Sequence, residues 1–437
     1  MKLEKPLLVF LVFVVFILMR MWMLPKTISF GWDQERDAQA VEKIFTQFSL
    51  PLIGPRVVGD NGFYLGPYFY YLLAPFYLIS SLHPQAMIYF IAFTTTIFFI
   101  LTFIVFQKLY GQKVTLLFLA IWSFLPATVT QDRISWNPIL IPLMFSCLIF
   151  TLDRLKNNKK YFIILGLILG LIFHIHFQGL FYLVFTLIYL ISKNNKNIKY
   201  FFWLLFGFAL TFLPLIVFDL RHQGINFNLF INFFSNSDNS VKSIGAFLPV
   251  WSNFINLIIG INSTAISIIF WSLLLLFGFI NRQKPYIFSF TLLLFITPIA
   301  FMIYGKRPSE YYFNYLLPII ILYLSIFISQ LKLPYYLIIP LYFLFSFNSF
   351  KSIRPSPTSL FYKNDIVQKA KEILQDKSVY ISYDTPLGEN NGFDYLIKHY
   401  KISRSNNPND PGVQFIIPKK ELLPTSGDIS LFIPSQF

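Results

Sequence analysis

The chain has 437 residues, 56% of them hydrophobic and only 13% charged, whereas a water-soluble surface needs roughly a quarter of residues charged. That balance, with 54 phenylalanines, excludes a soluble enzyme and a disordered chain, and the single cysteine, Cys147, excludes a disulfide scaffold. The net charge of +15 does not mark a nucleic-acid binder, because the cations gather in alternate loops between apolar runs, which is a topology signal.

Lys2 and Lys5 precede an apolar run over 6–24 with no small-residue cleavage site after it, so the run reads as a membrane anchor. The first outer loop, 25–83, follows. In it Phe30-Gly31-Trp32-Asp33-Gln34-Glu35-Arg36-Asp37-Ala38 leads into Val41, Phe45 and Phe48, and the spacing of three and four predicts an amphipathic helix over 33–48 lying on the membrane. Asp33 and Asp37 stand one turn apart on one face. Asp33 can be an N-cap with the other charges a wetted face, or a carboxylate held beside a lipid-exposed groove where it takes a proton from a hydroxyl. A second apolar stretch, 66–82, contains Gly66, Pro67 and Pro75 and fits a broken helix that does not cross.

Further runs of spanning length lie at about 84–106, 114–130, 137–153, 161–176, 179–192, 200–218, 263–281, 286–304, 312–330 and 334–350, about eleven with the first. If 66–82 stays outside, one set of loops carries Lys108 and Lys113, then Arg154, Lys159 and Lys160, then Lys193, Arg282, Lys284 and Lys332. That excess places those loops and the N-terminus in the cytoplasm and puts the acid-bearing loops outside. The expected fold is an all-α polytopic membrane domain over 1–350 followed by a small outer α/β appendage over 351–437. In the appendage, helices are expected near 364–375 and 391–400 and strands near 378–383 and 414–417.

Polar residues gather at four outer places. Besides Asp33, Arg36 and Asp37, these are Gln131-Asp132-Arg133-Ile134-Ser135-Trp136-Asn137-Pro138 and His174-Ile175-His176-Phe177-Gln178-Gly179. The fourth is a pair of basic sites, Asp219-Leu220-Arg221-His222 and Lys306-Arg307 before Glu310-Tyr311-Tyr312. Asp132 with Arg133 can be an ordinary ion pair, and two histidines two apart do not share a helix face. Outer cations are not explained by topology, and Arg offers a planar fork to phosphate oxygens. A nucleotide loop and the common hydrolase motifs are missing from the sequence.

Asp33-Gln34-Glu35-Arg36 at the head of an amphipathic helix, with Leu65-Gly66-Pro67-Tyr68-Phe69-Tyr70-Tyr71-Leu72-Leu73-Ala74-Pro75 before the second span, resembles the GT-C membrane glycosyltransferases. The likeness is to the bacterial relatives of protein O-mannosyltransferases and lipid A aminoarabinose transferases, and extends over about 350 residues in topology. It implies that Asp33 is the catalytic base. Where the family often has Asp-Glu this chain has Asp33-Gln34, so any role for a second carboxylate moves to Glu35 or Asp37 or is absent. A second acidic position falls near Asn137, which leaves Asp132 as substitute. Leu65-Gly66 stands where those enzymes have Glu-Lys, which shifts phosphate binding to Arg36, Arg56, Lys306 and Arg307, with Arg221 nearby.

The resemblance implies a transferase that moves a hexosyl or pentosyl unit from a polyprenyl-phosphate-linked sugar donor to a lipid, glycan or protein acceptor, with inversion, at the outer face of a plasma (inner) membrane. The expected sugar or acceptor pocket comprises Asp37, Asp132, Arg133, Trp136, Asn137, His174, His176, Tyr64 and Tyr68. Asp33, Asp132 and His176 are the candidates for a divalent metal, and no other cofactor is expected. The alternative is a flippase or exporter of polyisoprenoid-linked glycan that has no chemistry of its own.

Overall fold

A computed structural model describes residues 6–57, 62–155, 158–193, 198–235, 244–304, 308–331, 333, 335–356, 358–375, 377–419 and 424–433. Among these, two helices are long and apolar enough to cross a bilayer, Ala86–Phe124 and Glu310–Gln330. Two bent pairs reach that length together, Tyr200–Leu210 with Leu213–Arg221 (53°) and Phe247–Ile259 with Thr264–Ile280 (74°). The helix lengths therefore support two to four full spans, not the eleven expected. The described part of the first helix, Pro6–Met21, has 16 residues, and Gly111 leaves helical geometry (φ 83°, ψ 164°) inside Ala86–Phe124 and divides it into two helices, where the two runs 84–106 and 114–130 were expected. The stretch expected not to cross forms Tyr68–Ile79, 12 residues long.

Two kinds of contact hold the bundle. Helices Lys159–Ile175 and Ile198–Leu210 meet backbone to backbone: a Cβ at Gly166 would sit 2.1 Å from the carbonyl oxygen of Leu204, and one at Gly207 would sit 2.2 Å from that of Ile163. Only glycine permits that approach, and small residues supply the packing between apolar helices that burial from water cannot.

The second contact is ionic. Arg20, fully buried near the end of Pro6–Met21, donates to Asp132 Oδ2 from Nε (3.1 Å) and Nη2 (2.7 Å), and to the carbonyls of Ser123 (2.7 Å) and Trp122 (2.8 Å). Trp122 Nε1 donates to the same carboxylate oxygen at 2.8 Å. Arg133 donates to the carbonyls of Met19, Arg20 and Trp22 at 2.8–2.9 Å and to Thr27 Oγ1, so it satisfies the acceptors that the last helical turn leaves open. Asp132 and Arg133 were expected in a sugar pocket. They are instead the clasp that fastens the first helix to the 122–133 corner, because burial of Arg20 demands a carboxylate there.

The appendage follows Tyr335–Ser352. Helix Leu360–Leu374 precedes strands β1 (Tyr380–Asp384), β2 (Gly412–Ile416), β3 (Thr425–Ser426) and β4 (Ile429–Phe432), with helix Phe393–His399 between β1 and β2. The sheet order is β1-β2-β4-β3; β1 and β2 are parallel in the register Tyr380 to Gly412, and the other pairs are antiparallel.

Removing one partner of a buried ion pair strands the other charge, at a cost of about 3–5 kcal/mol. Asp132→Ala is expected to lower stability by that order in detergent-solubilised protein, measured by thermal or denaturant unfolding. The double substitution Arg20→Met, Asp132→Leu should recover most of the loss, and an Asp132→Ala protein as stable as the parent would contradict the clasp.

Candidate functional site

The first-loop helix runs Trp32–Thr46 and exposes three consecutive partnerships at its start. Gly31, not Asp33, is the N-cap, and its N–H donates to Gln34 Oε1 at 3.2 Å. Gln34 Nε2 donates to the Ser135 carbonyl at 3.0 Å, which ties the helix to the 131–136 loop. Asp33 is thereby free of a capping role and leaves its carboxylate half-exposed at 49%.

Arg36 forks between the two carboxylates. Its Nη1 lies 2.7 Å from Asp33 Oδ1, while Nε and Nη2 lie 2.9 and 2.7 Å from Asp37 Oδ1. Asp37 is buried, and its second oxygen has no partner. Burial pushes the Asp37 carboxyl up to about 7, against the pull of Arg36 and with some repulsion from Asp33. Near neutral pH Asp37 therefore only partly neutralises Arg36, which keeps positive charge available to an anion beside Asp33.

A narrow ribbon closes over this pair. Gly54 N–H donates to the Leu65 carbonyl (2.7 Å), Leu65 N–H to that of Pro55 (3.0 Å) and Val57 N–H to that of Phe63 (2.9 Å). Arg56 pairs across it with Tyr64, donates to the Gly62 carbonyl at 2.7 Å and lies 5.6 Å over the Tyr64 ring. The ribbon splits the space around Asp33 into two chambers, and Asp33, Arg36 and Arg56 line both.

The smaller chamber, about 120 Å³, is completed by Trp136, Asn137, His176, Gln178, Tyr311 and Tyr312. The Trp136 and Tyr311 rings are 5.1 Å apart, and His176 lies 5.9 and 6.0 Å from Tyr311 and Tyr312. Three of its buried polar atoms, Trp136 Nε1, His176 Nδ1 and Gln178 Oε1, have no protein partner. Buried polar groups are ordinarily satisfied, so three such atoms on one chamber give it hydrogen-bonding capacity for water or a polar ligand. The wider chamber, about 620 Å³, is lined by Trp32, Ala40, Lys43, Pro51, Ile53, Tyr64 and Tyr70.

The remaining expected residues lie elsewhere. His174 faces away from His176: its Nδ1 accepts from Gly66 N–H at 3.1 Å, and a Cβ at Gly66 would sit 2.9 Å from the imidazole. Tyr68 donates to the Thr211 carbonyl at 2.6 Å and packs 5.4 Å from His174. Both are framework. Asn137 lines the small chamber and donates from Nδ2 to the Ile175 carbonyl. Arg221 is exposed at the end of Leu213–Arg221 and lines neither chamber. Lys306 and Arg307 lie outside the described residues. Gln178, Tyr311 and Tyr312 were not expected as pocket residues; a glutamine inside an apolar run and a tyrosine pair beside charged residues were the available signals.

The donor set does not suit a metal. Asp132 is taken by Arg20 and Trp122, Asp33 and Asp37 both bond Arg36, and among the described residues no three His, Cys, Asp or Glu side chains gather.

Comparison with known proteins agrees with this architecture. Residues 65–218 match the family model of dolichyl-phosphate-mannose-protein mannosyltransferases. The structure is similar to ArnT from Cupriavidus metallidurans in the apo state, at TM-score 0.58 and 11% identity over 98% of this chain and 97% of that one. The same enzyme bound to undecaprenyl phosphate gives 0.52 and 12%, over 85% of this chain and 64% of that one. The Archaeoglobus fulgidus oligosaccharyltransferase in complex with zinc and sulfate gives 0.50 and 14%, over 92% of this chain and 62% of that one. The chain has the GT-C fold. It spans less than two thirds of the length of two of these structures, and no curated protein matches it in sequence.

In this GT-C chain the appendage grips the back of the Asp33 helix. Glu35, buried, accepts from the N–H groups of Gly392 (2.7 Å) and Tyr395 (2.8 Å), so it is not a second catalytic carboxylate. Burial raises its pKa, while those two bonds pull the other way. Lys363 donates all three of its protons to carbonyls, those of Phe30 (3.2 Å), Glu389 (3.0 Å) and Asn391 (2.6 Å). Burial brings it down to about 8, with Glu389 and Glu35 opposing.

Two expectations follow from these environments. Asp37 holds its proton to higher pH in the native state than the ordinary 3.8, so its contribution is complete below about pH 4 and declines as pH rises through about 7. The melting temperature of the parent should lose ground to Asp37→Asn over that window; parallel curves from pH 4 to 8 would contradict the assignment. Glu35→Ala strands two buried N–H groups and should cost about 1–3 kcal/mol, with faster proteolysis of the chain between Ser352 and Leu360.

Proposed function

We propose that the chain transfers a sugar from a polyprenyl-phosphate donor to an acceptor hydroxyl or amine, with the cleft on the outer face of a prokaryotic plasma membrane. The observation that carries this reading is one carboxylate, Asp33, standing beside two guanidinium groups where a chamber with three unsatisfied polar atoms meets a wider, more apolar one. The GT-C fold supports it, as does the likeness to an enzyme crystallised with undecaprenyl phosphate.

In this mechanism the sugar sits in the small chamber, where Trp136 Nε1, His176 Nδ1 and Gln178 Oε1 meet its hydroxyls. The phosphate lies against Arg36 and Arg56, whose planar forks match its oxygens, and the first isoprenoid units follow the wide chamber past Trp32, Tyr64 and Tyr70. The acceptor approaches the exposed side of Asp33. Its oxygen or nitrogen forms the new bond to the anomeric carbon as its proton passes to Asp33. The bond from that carbon to the phosphate oxygen breaks, and its electron pair leaves on the phosphate, where the two arginines stabilise it. One displacement inverts the anomeric configuration.

A positioned base contributes about 10² to 10⁴ in rate. Asp33→Asn is therefore expected to lower kcat by that factor while purified protein still binds polyprenyl phosphate, and Arg56→Gln to weaken that binding. The assay is mass analysis of lipid-linked sugars and acceptor products. Unchanged transfer by Asp33→Asn overturns the mechanism, and a flippase without chemistry would keep its transport in that variant.

A further inference from the structure

At the other end of the bundle from the cleft lies a second cavity, of about 480 Å³. Helices Ile141–Asp153 and Leu180–Ser192 both start among cleft residues, beside Asn137 and Gln178, and both end at this cavity. Thirteen residues each, they rise about 20 Å, so the two sites face opposite ends of the same helices.

Three cations line it from two separate loops, Lys193 after one helix and Arg282 and Lys284 before Ile287–Tyr304. Among the described residues none of the three is in an ion pair. The one carboxylate on the wall, Asp153, is bonded to Lys108 at 2.5 Å, so it does not cancel them. The topology rule accounts for cations on these loops but not for their convergence on one concavity.

The floor is built rather than accidental. Tyr286, buried, holds φ 63°, a conformation that a tyrosine rarely adopts, and such residues persist where the surroundings over-determine them. Its ring lies 4.8 Å from that of Tyr189, and the Tyr110 hydroxyl fixes the preceding residue by donating to the Pro285 carbonyl at 2.7 Å. This turn carries Arg282 and Lys284 to the cavity that Lys193 also lines, with the Arg282 guanidinium 4.5 Å over the Phe279 ring.

We propose that this cavity binds a phosphate group, either the headgroup of an anionic phospholipid or a soluble phosphorylated molecule, independently of the transfer site. Three convergent cations on a polar-walled pocket between apolar helices are the recognition chemistry for such a headgroup.

The test is the melting temperature of the full-length protein in zwitterionic detergent, titrated with dioleoyl phosphatidylglycerol, dioleoyl phosphatidylcholine or inorganic phosphate. The parent is compared with Lys193→Gln, Arg282→Gln, Lys284→Gln together, and with Arg154→Gln, Lys159→Gln, Lys160→Gln as a charge-matched control at the same end. Phosphatidylglycerol but not phosphatidylcholine should raise the melting temperature of parent and control, and the rise should vanish in the cavity variant. A rise with inorganic phosphate alone, lost in the same variant, assigns the site to a soluble phosphate instead. Equal loss in both variants, or no loss in either, overturns the proposal. Native mass spectrometry of co-purified phospholipid reads the same difference without any titration.

Discussion

A guanidinium removed from water has to keep both a counter-charge and acceptors for its five N–H groups, and Arg20 obtains them at one place only. Asp132, the carbonyls of Ser123 and Trp122 and the ring of Phe16, 4.1 Å away, surround it. Arg133 then takes the open carbonyls at the end of the first helix. Two arginines and one aspartate thus decide where that helix stops relative to the 122–138 segment. The cleft follows from this, because the loop that leaves the first helix carries Asp33 and the segment that leaves Asp132 carries Trp136 and Asn137.

The helix bearing Asp33 has one turn in which four successive side chains, Asp33 to Arg36, are divided among three directions. Gln34 is tied to the Ser135 carbonyl, Glu35 to the appendage, and Asp33 and Arg36 face the chambers with Asp37 behind them. In the proposed mechanism the Asp33 carboxylate must not wander, since misplacement by about an ångström costs orders of magnitude in rate. The appendage therefore acts on the site from behind: Lys363 and Glu35 join the loop at Phe30, the helix and the Gly392 turn into one rigid block. Among the described residues none of the appendage lines either chamber, which leaves it the part of holding the helix.

What could be read from the sequence is what local pattern encodes. Helix Trp32–Thr46, the short Tyr68–Ile79 helix and the first two helices and strands of the appendage lie within a few residues of their expected positions, because apolar periodicity and the Pro, Gly and Asn breaks between them are local. Asp33 and Asp37 share Arg36, as a spacing of one turn implies. Partners that chain distance hides were not legible. Glu35 meets Gly392, 357 residues away, and Asp132 meets Arg20, 112 away, and neither acid differs in local sequence from one that would face a substrate. The histidines show the limit well: two apart, they do not share a helix face, but only the close approach of Gly66 decides that His174 is the structural one and His176 the one that lines the small chamber.

The same arithmetic explains why the site is visible without a ligand. A protein that leaves Trp136 Nε1, His176 Nδ1 and Gln178 Oε1 buried and unbonded carries a cost of about 1–3 kcal/mol for each unless something fills the chamber. The framework histidine, His174, also leaves Nε2 open, but there the other nitrogen takes the Gly66 amide and the ring fills a packed gap between Tyr68 and Phe212. In the small chamber the open atoms surround one shared space. A polyhydroxylated ring has donors and acceptors on every edge, so one ligand can satisfy all three at once.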